Sequence, residues 1–299
     1  MKLGRAFSYL HSLPVLALVG WPAWADTAVL TPAADTYITQ QFPNGNNTGA
    51  TELTCGTQGP MAGSARNRAL FKFDPGHSIP AGADITAARF SLVVTRAPDF
   101  EVDSQFELHR VLRDWNVDET TWKLRSKPDV AWFIPGGASG LDYSSTISAS
   151  TLISEIGPYA YDSTPAAVAD VQSWLDNPAS NFGWILISDQ ESQAFSARRI
   201  ASVDQGADLI TLEVEYTSPP PPKIEAAHLE QGRFSLQFDA QASYCYTVEF
   251  LETLGAGSWT TLTNVCAKLV SQTVVAKDPD PVSAHPARFY RIAITGRVR

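Results

Sequence analysis

Arg68-Ala69-Leu70-Phe71-Lys72-Phe73 decides the fold, because it alternates small or apolar side chains with basic and larger ones at the two-residue period of an extended chain. The same pattern recurs in Ala88-Arg89-Phe90-Ser91-Leu92-Val93-Val94, Phe106-Glu107-Leu108-His109-Arg110-Val111, Trp184-Ile185-Leu186-Ile187 and Leu209-Ile210-Thr211-Leu212-Glu213-Val214-Glu215-Tyr216. Each run is short and bounded by Gly, Pro, Asn or Asp, which predicts an antiparallel sandwich. One stretch departs from it. Pro165 can open a helix in which Val168, Val171, Trp174 and Leu175 share a face, and Asn177-Pro178 stops it. Trp174 then reads as the plug of an open sandwich end.

The composition changes at Ser218, where Pro219 to Pro222 cannot continue a strand ladder and favour an extended spacer. This predicts a boundary, with one domain over 26–217, a linker over 218–223 and a smaller domain over 224–296. In the smaller part, Phe234-Ser235-Leu236-Gln237-Phe238, Tyr244 to Phe250, Trp259 to Leu262 and Phe289 to Ala293 alternate as half-buried strands do, predicting a second, fibronectin-like β-sandwich. No internal repeat relates the two parts.

At the other end, Lys2 and Arg5 precede an apolar run from Leu13 to Val19, and Ala23-Trp24-Ala25 supplies a small-x-small cleavage site. Residues 1–25 thus read as a signal peptide, and the protein as secreted or held at the cell surface. No later segment is apolar enough for a membrane span. The net charge of −9 disfavours nucleic acid and anionic membranes, both of which attract basic surfaces.

Cys55, Cys245 and Cys266 are too few for a disulfide scaffold, but export permits one bridge. Cys245 and Cys266, in neighbouring predicted strands, are the natural pair, and Cys55 reads as a harmless thiol. His77, His109, His228 and His285 are isolated and lack zinc spacing. Ser139 misses the nucleophile elbow, since Gly140 follows it directly. Asp118 and Glu119, as neighbours, suit a loop surface better than a glycosidase pair. These residues predict no enzyme.

Leu112 to Trp122, LRDWNVDETTW, reads as a strand end running into a shaped loop, because Asp, Asn and Thr between the two tryptophans favour turns. With its neighbours it carries a family resemblance. Ala34-Asp35-Thr36-Tyr37-Ile38, the turn Asn44 to Gly49, Arg68 to Asp74, Ile79 to Ala83 with Ile85, Trp115 with Thr121-Trp122, Trp132 with Pro135-Gly136-Gly137, and Trp174 followed by Asn181-Phe182-Gly183-Trp184 stand in the family's order. This ordered set resembles the DNRLRE domains, the group that includes carbohydrate-binding module family 96 and the non-catalytic domain of archaeal disaggregatases. Phe195-Ser196-Ala197-Arg198-Arg199 departs from the family's Phe-x-Ser-Arg-Glu.

The resemblance implies an all-β jelly-roll sandwich that binds polysaccharide, acidic polysaccharide in some members, or serves as an extracellular adhesion unit, without catalysis. Sugar binding needs aromatic faces for pyranose rings and polar groups for hydroxyls, and uronates additionally need cations. Tyr37, Trp115, Trp122 and Trp132 are the candidate faces, with Trp122 the better packing residue. Arg66, Arg68, Lys72 and Arg198 are the candidate cations, although Leu70 shares a strand face with Arg68 and Lys72. Jelly rolls often carry a structural calcium, for which Asp35, Asp74 and Asp208 are candidate oxygen ligands. The partner expected is a polysaccharide or cell-surface glycan. The alternative is a structural cell-surface or adhesion protein without a defined small ligand, and after it a polysaccharide-degrading enzyme.

Overall fold

The structure is a computed structural model that describes residues 25–255, 257–266, 270–285 and 287–298. The predicted signal peptide lies outside them, apart from Ala25. The first strands are β1 (Ala25–Leu30), β2 (Ala34–Thr39), β3 (Glu52–Thr57), β4 (Arg66–Lys72), β5 (Asp84–Arg96) and β6 (Ser104–Val111). The short hairpin β7 (Leu124–Ser126) and β8 (Val130–Ala131) comes next. It is followed by β9 (Tyr143–Ile153), β10 (Gly157–Tyr161), helix α1 (Pro165–Asp176), β11 (Trp184–Ser188), β12 (Arg198–Ala201) and β13 (Ile210–Thr217).

Eight of these strands build a sandwich. One sheet runs β1-β13-β5-β10 and the other β4-β11-β6-β9, all antiparallel. The first strand therefore pairs with the last, and early and late strands interleave in both sheets, which is the jelly-roll connection. β2 extends the second sheet along β4. β3 pairs with β12 in the first sheet and then with β4 in the second, closing one side of the sandwich.

Alternation sorts the side chains between two cores. Ala69 and Phe71 of β4, Phe90 and Leu92 of β5, Trp184 and Leu186 of β11 and Leu212 and Val214 of β13 point between the sheets. Helix α1 is capped by Thr164, whose hydroxyl accepts from Ala167 N, and it packs Val171, Trp174 and Leu175 into the same core. Trp174 meets Trp184 at 4.8 Å, edge to face. The helix thus closes the sandwich as its apolar face predicts.

On the outer side of the second sheet, Ile38, Leu70, Ile185 and Ile187 are covered by the excursion between β6 and β9, which contributes Trp115, Trp122 and Trp132, with Tyr143 at the start of β9 beside them. This outer core is the structural role of the LRDWNVDETTW segment.

The C-terminal strands are β14 (Ile224–Glu230), β15 (Arg233–Ala240), β16 (Tyr244–Leu251), β17 (Thr260–Cys266), β18 (Gln272–Pro281) and β19 (Phe289–Arg297). They form sheets β14-β15-β18 and β17-β16-β19, with Phe238, Tyr246 and Val248 between them. Cys245 and Cys266 face each other across β16 and β17 and are joined by a disulfide.

Candidate functional site

Of the residues proposed for sugar contact, several are structural. Trp115 and Trp132 are 5% and 4% exposed, and their indole N–H groups donate to Phe182 O at 2.8 Å and Thr121 O at 3.0 Å. No ring face is left for a pyranose. Trp122 is equally buried and lies against Gly136, whose φ is +90° and where a Cβ would come within 2.5 Å of the ring. Only glycine meets both demands.

Arg68 is buried as well. Its guanidinium clamps Glu191 through two bonds, at 2.9 and 2.7 Å, and donates to the carbonyls of Gly136 and Gly137. It fastens the outer layer to the sheet and does not face solvent. Arg66 and Lys72 lie on the same outward face of β4 but at its two ends. Arg66 is exposed over Trp122, and Lys72 is 3.8 Å from Asp114. Arg68 and Leu70, covered by the outer layer, interrupt any cationic track between them. Tyr37 is half-buried and packs against the inner core.

The proposed calcium ligands do not converge. Asp35 accepts from Ser202 Oγ at 3.0 Å and Val203 N at 2.8 Å, while Asp74 and Asp208 are exposed on other segments. Among the described residues no group of three or more His, Cys, Asp or Glu is placed to hold a metal ion. Burial outweighs those two hydrogen bonds and raises the Asp35 pKa.

Arg198 is fully buried. Its donors go to main-chain carbonyls: Nε to Ser154, Nη1 to Ala197 at 3.1 Å and Nη2 to Val102 and Ile153. It cannot touch a ligand carboxylate while it ties these strand ends together.

A reachable concavity lies beside it. The loops after β3 (58–65), after β5 (97–103) and before β12 (189–197) meet at one end of the sandwich and enclose a cleft of about 220 Å³. Thr57 joins two of them, its N–H donating to Ser196 Oγ at 3.0 Å and its hydroxyl to Glu191 O at 2.7 Å. Phe195 stands in the wall at φ +68°, against Gly59, and Phe100, 79% exposed, meets its edge at 6.5 Å. A non-glycine residue in the left-handed region costs energy, which the surrounding loops must supply. Arg96 and Arg199 line the cleft with Thr54 and Gln58, and no carboxylate does. Arg199 Nη1 donates to Glu52 at 2.8 Å, and the bonds from Arg199 and Thr95 lower the Glu52 pKa.

Sequence reasoning missed Arg96, Gln58 and Phe195 as a group, since they are brought together from three loops. The one available signal was Phe195 at the head of the divergent Phe195–Arg199 motif.

One end of this jelly roll thus presents a small, largely apolar cleft with an aromatic wall and arginines at its border. Residues 26–132 match the family model of carbohydrate-binding module family 96. The match supports a carbohydrate-binding module at this end of the chain, and it runs from β1 through the outer layer as far as Trp132. It thus takes in the outer-core tryptophans, together with the Thr54–Ala62 and Arg96–Pro98 walls of the cleft. No curated protein matches the chain.

Proposed function

We propose that the protein is an exported, non-catalytic carbohydrate-binding protein whose ligand is an acidic polysaccharide. Residues 26–217 are its binding domain, 218–223 its linker and 224–296 a fibronectin-like module that spaces or presents it. The family match over residues 26–132 is the observation that carries the reading. The arginine-lined cleft supports the preference for acidic chains.

Other features favour binding over turnover. The Cys55 thiol is buried and donates to Leu186 O at 3.2 Å, and burial pushes its pKa upward, away from a nucleophilic thiolate. His109 is fixed between Ser144 O at 3.0 Å and Glu107 at 3.3 Å.

Affinity electrophoresis of the chain from residue 26 in gels containing alginate, pectate, chitosan or a neutral glucan, with and without calcium, tests the reading. Retardation by the acidic polysaccharides is expected, and no retardation in any gel would sink it. A rise in unsaturated-uronate absorbance on alginate or pectate would instead establish an enzyme.

One observation favours a second reading, a surface-assembly role. β14 is an edge strand exposed along its length, with Ile224 47% and Leu229 64% exposed. Such an edge is a template for strand addition. Concentration-dependent light scattering would support this role, and a strictly monomeric protein would remove it.

A further inference from the structure

The cleft at the end of the sandwich is bordered by arginines, while the carboxylates that act on them stand outside its lining. In a chain of net charge −9, Arg96, Arg198 and Arg199 border it and no Asp or Glu does. Arg96 is exposed and is in no ion pair among the described residues, although Glu52, the partner of Arg199, acts on it electrostatically. Arg198 is wholly buried, yet its donors end on carbonyls and no described carboxylate lies within ion-pair distance. Carbonyl dipoles satisfy its hydrogen bonds, and its charge is met by carboxylates at longer range. Glu101 and Asp103 act on Arg198 electrostatically without lining the cleft. The cationic groups thus border the small concavity while their carboxylate neighbours lie behind its walls, which makes the cleft the positive side of the local charge distribution.

A second observation points to a ligand. Gln58 Oε1 is buried without a hydrogen-bond partner in the wall of this cleft. An unpaired buried acceptor is costly unless a donor arrives to meet it. The third component is the Phe195 ring, with Pro98 beside it, an apolar wall suited to the C–H face of a sugar.

Resting on the carbohydrate-binding reading, we infer that this cleft is a subsite for one hexuronate unit of a polysaccharide. The pyranose lies on Phe195, its carboxylate takes the free donors of Arg96 and the remaining donors of Arg199, and a ring hydroxyl donates to Gln58 Oε1. About 220 Å³ suits a single ring, so neighbouring sugars run outward over Met61 and Phe100, both strongly exposed. Arg198 contributes potential and frame, not contact.

The test uses the full chain from residue 26 and three probes: tri-galacturonate, tri-mannuronate and carboxyl-reduced tri-galacturonate. Isothermal titration should give binding of at least one uronate trimer, weakened by salt and at least tenfold weaker for the carboxyl-reduced trimer. Arg96→Gln should weaken uronate binding at least tenfold with an unchanged melting temperature. Gln58→Leu, which removes the acceptor, should weaken the uronate and its reduced form alike. Arg89→Gln, on the outer face of the first sheet and paired with Glu213 and Glu215, should change nothing.

Wild-type uronate binding that survives both Arg96→Gln and Gln58→Leu would overturn the subsite and leave the carbohydrate reading standing. Equal binding of the carboxyl-reduced trimer would overturn the anionic preference. If none of the trimers binds while affinity gels containing the parent polysaccharides still retard the protein, the single-unit subsite fails alone. If neither assay registers binding, both readings fall.

Discussion

The two cores of the first sandwich use tryptophan differently. Between the sheets, Trp174 and Trp184 are held by regular strands and a helix, whose hydrogen-bond ladders already fix the backbone. On the outer face, Trp115, Trp122 and Trp132 sit on an irregular excursion that has only the two short strands of the β7–β8 hairpin. Its shape comes from individual polar latches. Arg68 holds Glu191 and the Gly136 and Gly137 carbonyls, Asp142 accepts from Phe133 N and Ala138 N, and Asn46 donates to Val117 O and Thr120 O, both at 2.8 Å. Apolar area supplies the driving force in both places. In the outer core the latches also hold the loop that presents it.

The largest effect should therefore come from the inner core. Trp184→Ala removes a fully buried indole that packs on Phe73, Phe90 and Trp174 and donates to Asp170 at 2.8 Å. A loss of about 3–5 kcal/mol is expected, with both cores melting together, as large-to-small changes at buried aromatic sites do. Denaturant unfolding followed by tryptophan fluorescence checks this. A loss below 1 kcal/mol would contradict the packing account.

Arg68→Ala comes next. Breaking a buried ion pair leaves Glu191 and two carbonyls without their donor, at a cost of about 3 kcal/mol. The difference between the cores should show in where that cost falls. Amide exchange should accelerate across residues 112–142 and much less in β5 and β13. Uniform acceleration would mean that the outer layer is not a separate unit.

The sequence carried the inner core openly and the outer core in disguise. Phe71, Phe90, Leu212 and Trp184 declare themselves by two-residue alternation, and Pro165 with Asn177-Pro178 brackets the helix. The exposed outer face was harder to read. Leu70, Ile185 and Ile187 point away from the sandwich, and alternation alone cannot say that a loop will cover them. That blind spot made Trp115, Trp132 and Arg68 look like surface candidates. The cleft was less legible still, because Gln58, Arg96 and Phe195 come from loops far apart in sequence, and no local period records their meeting.

Asn46→Ala should be milder, about 1–2 kcal/mol, because it leaves two carbonyls without a donor at a half-buried position where water can replace it in part. The effect should be confined to the outer layer, read as faster exchange near Val117 and Thr120. An equal change at Trp174 would erase the distinction between the two cores.

The smallest effect concerns the polar end of the inner core, and its sign can be worked out. Burial raises the Asp170 pKa, against hydrogen bonds from Ser148 at 2.5 Å and Trp184 and the charge of Arg110 at 3.6 Å. A folded pKa above the unfolded one means that the folded state binds the proton more tightly. The stability linked to that proton is complete below the unfolded value and is lost as pH rises through the folded value. Asp170→Asn keeps an oxygen to accept from Ser148 and Trp184 and removes the charge that burial penalises. The variant should therefore match or exceed the wild type at neutral pH by up to about 1 kcal/mol, since a satisfied neutral acceptor carries no charge desolvation cost. In acid the wild type should regain ground as its carboxyl protonates. Melting temperatures of both proteins across the acid-to-neutral range decide it. A wild-type advantage that grows with rising pH would show that the half-exposed Arg110 outweighs burial, and that an ion pair, not a dry acceptor, closes this end of the inner core.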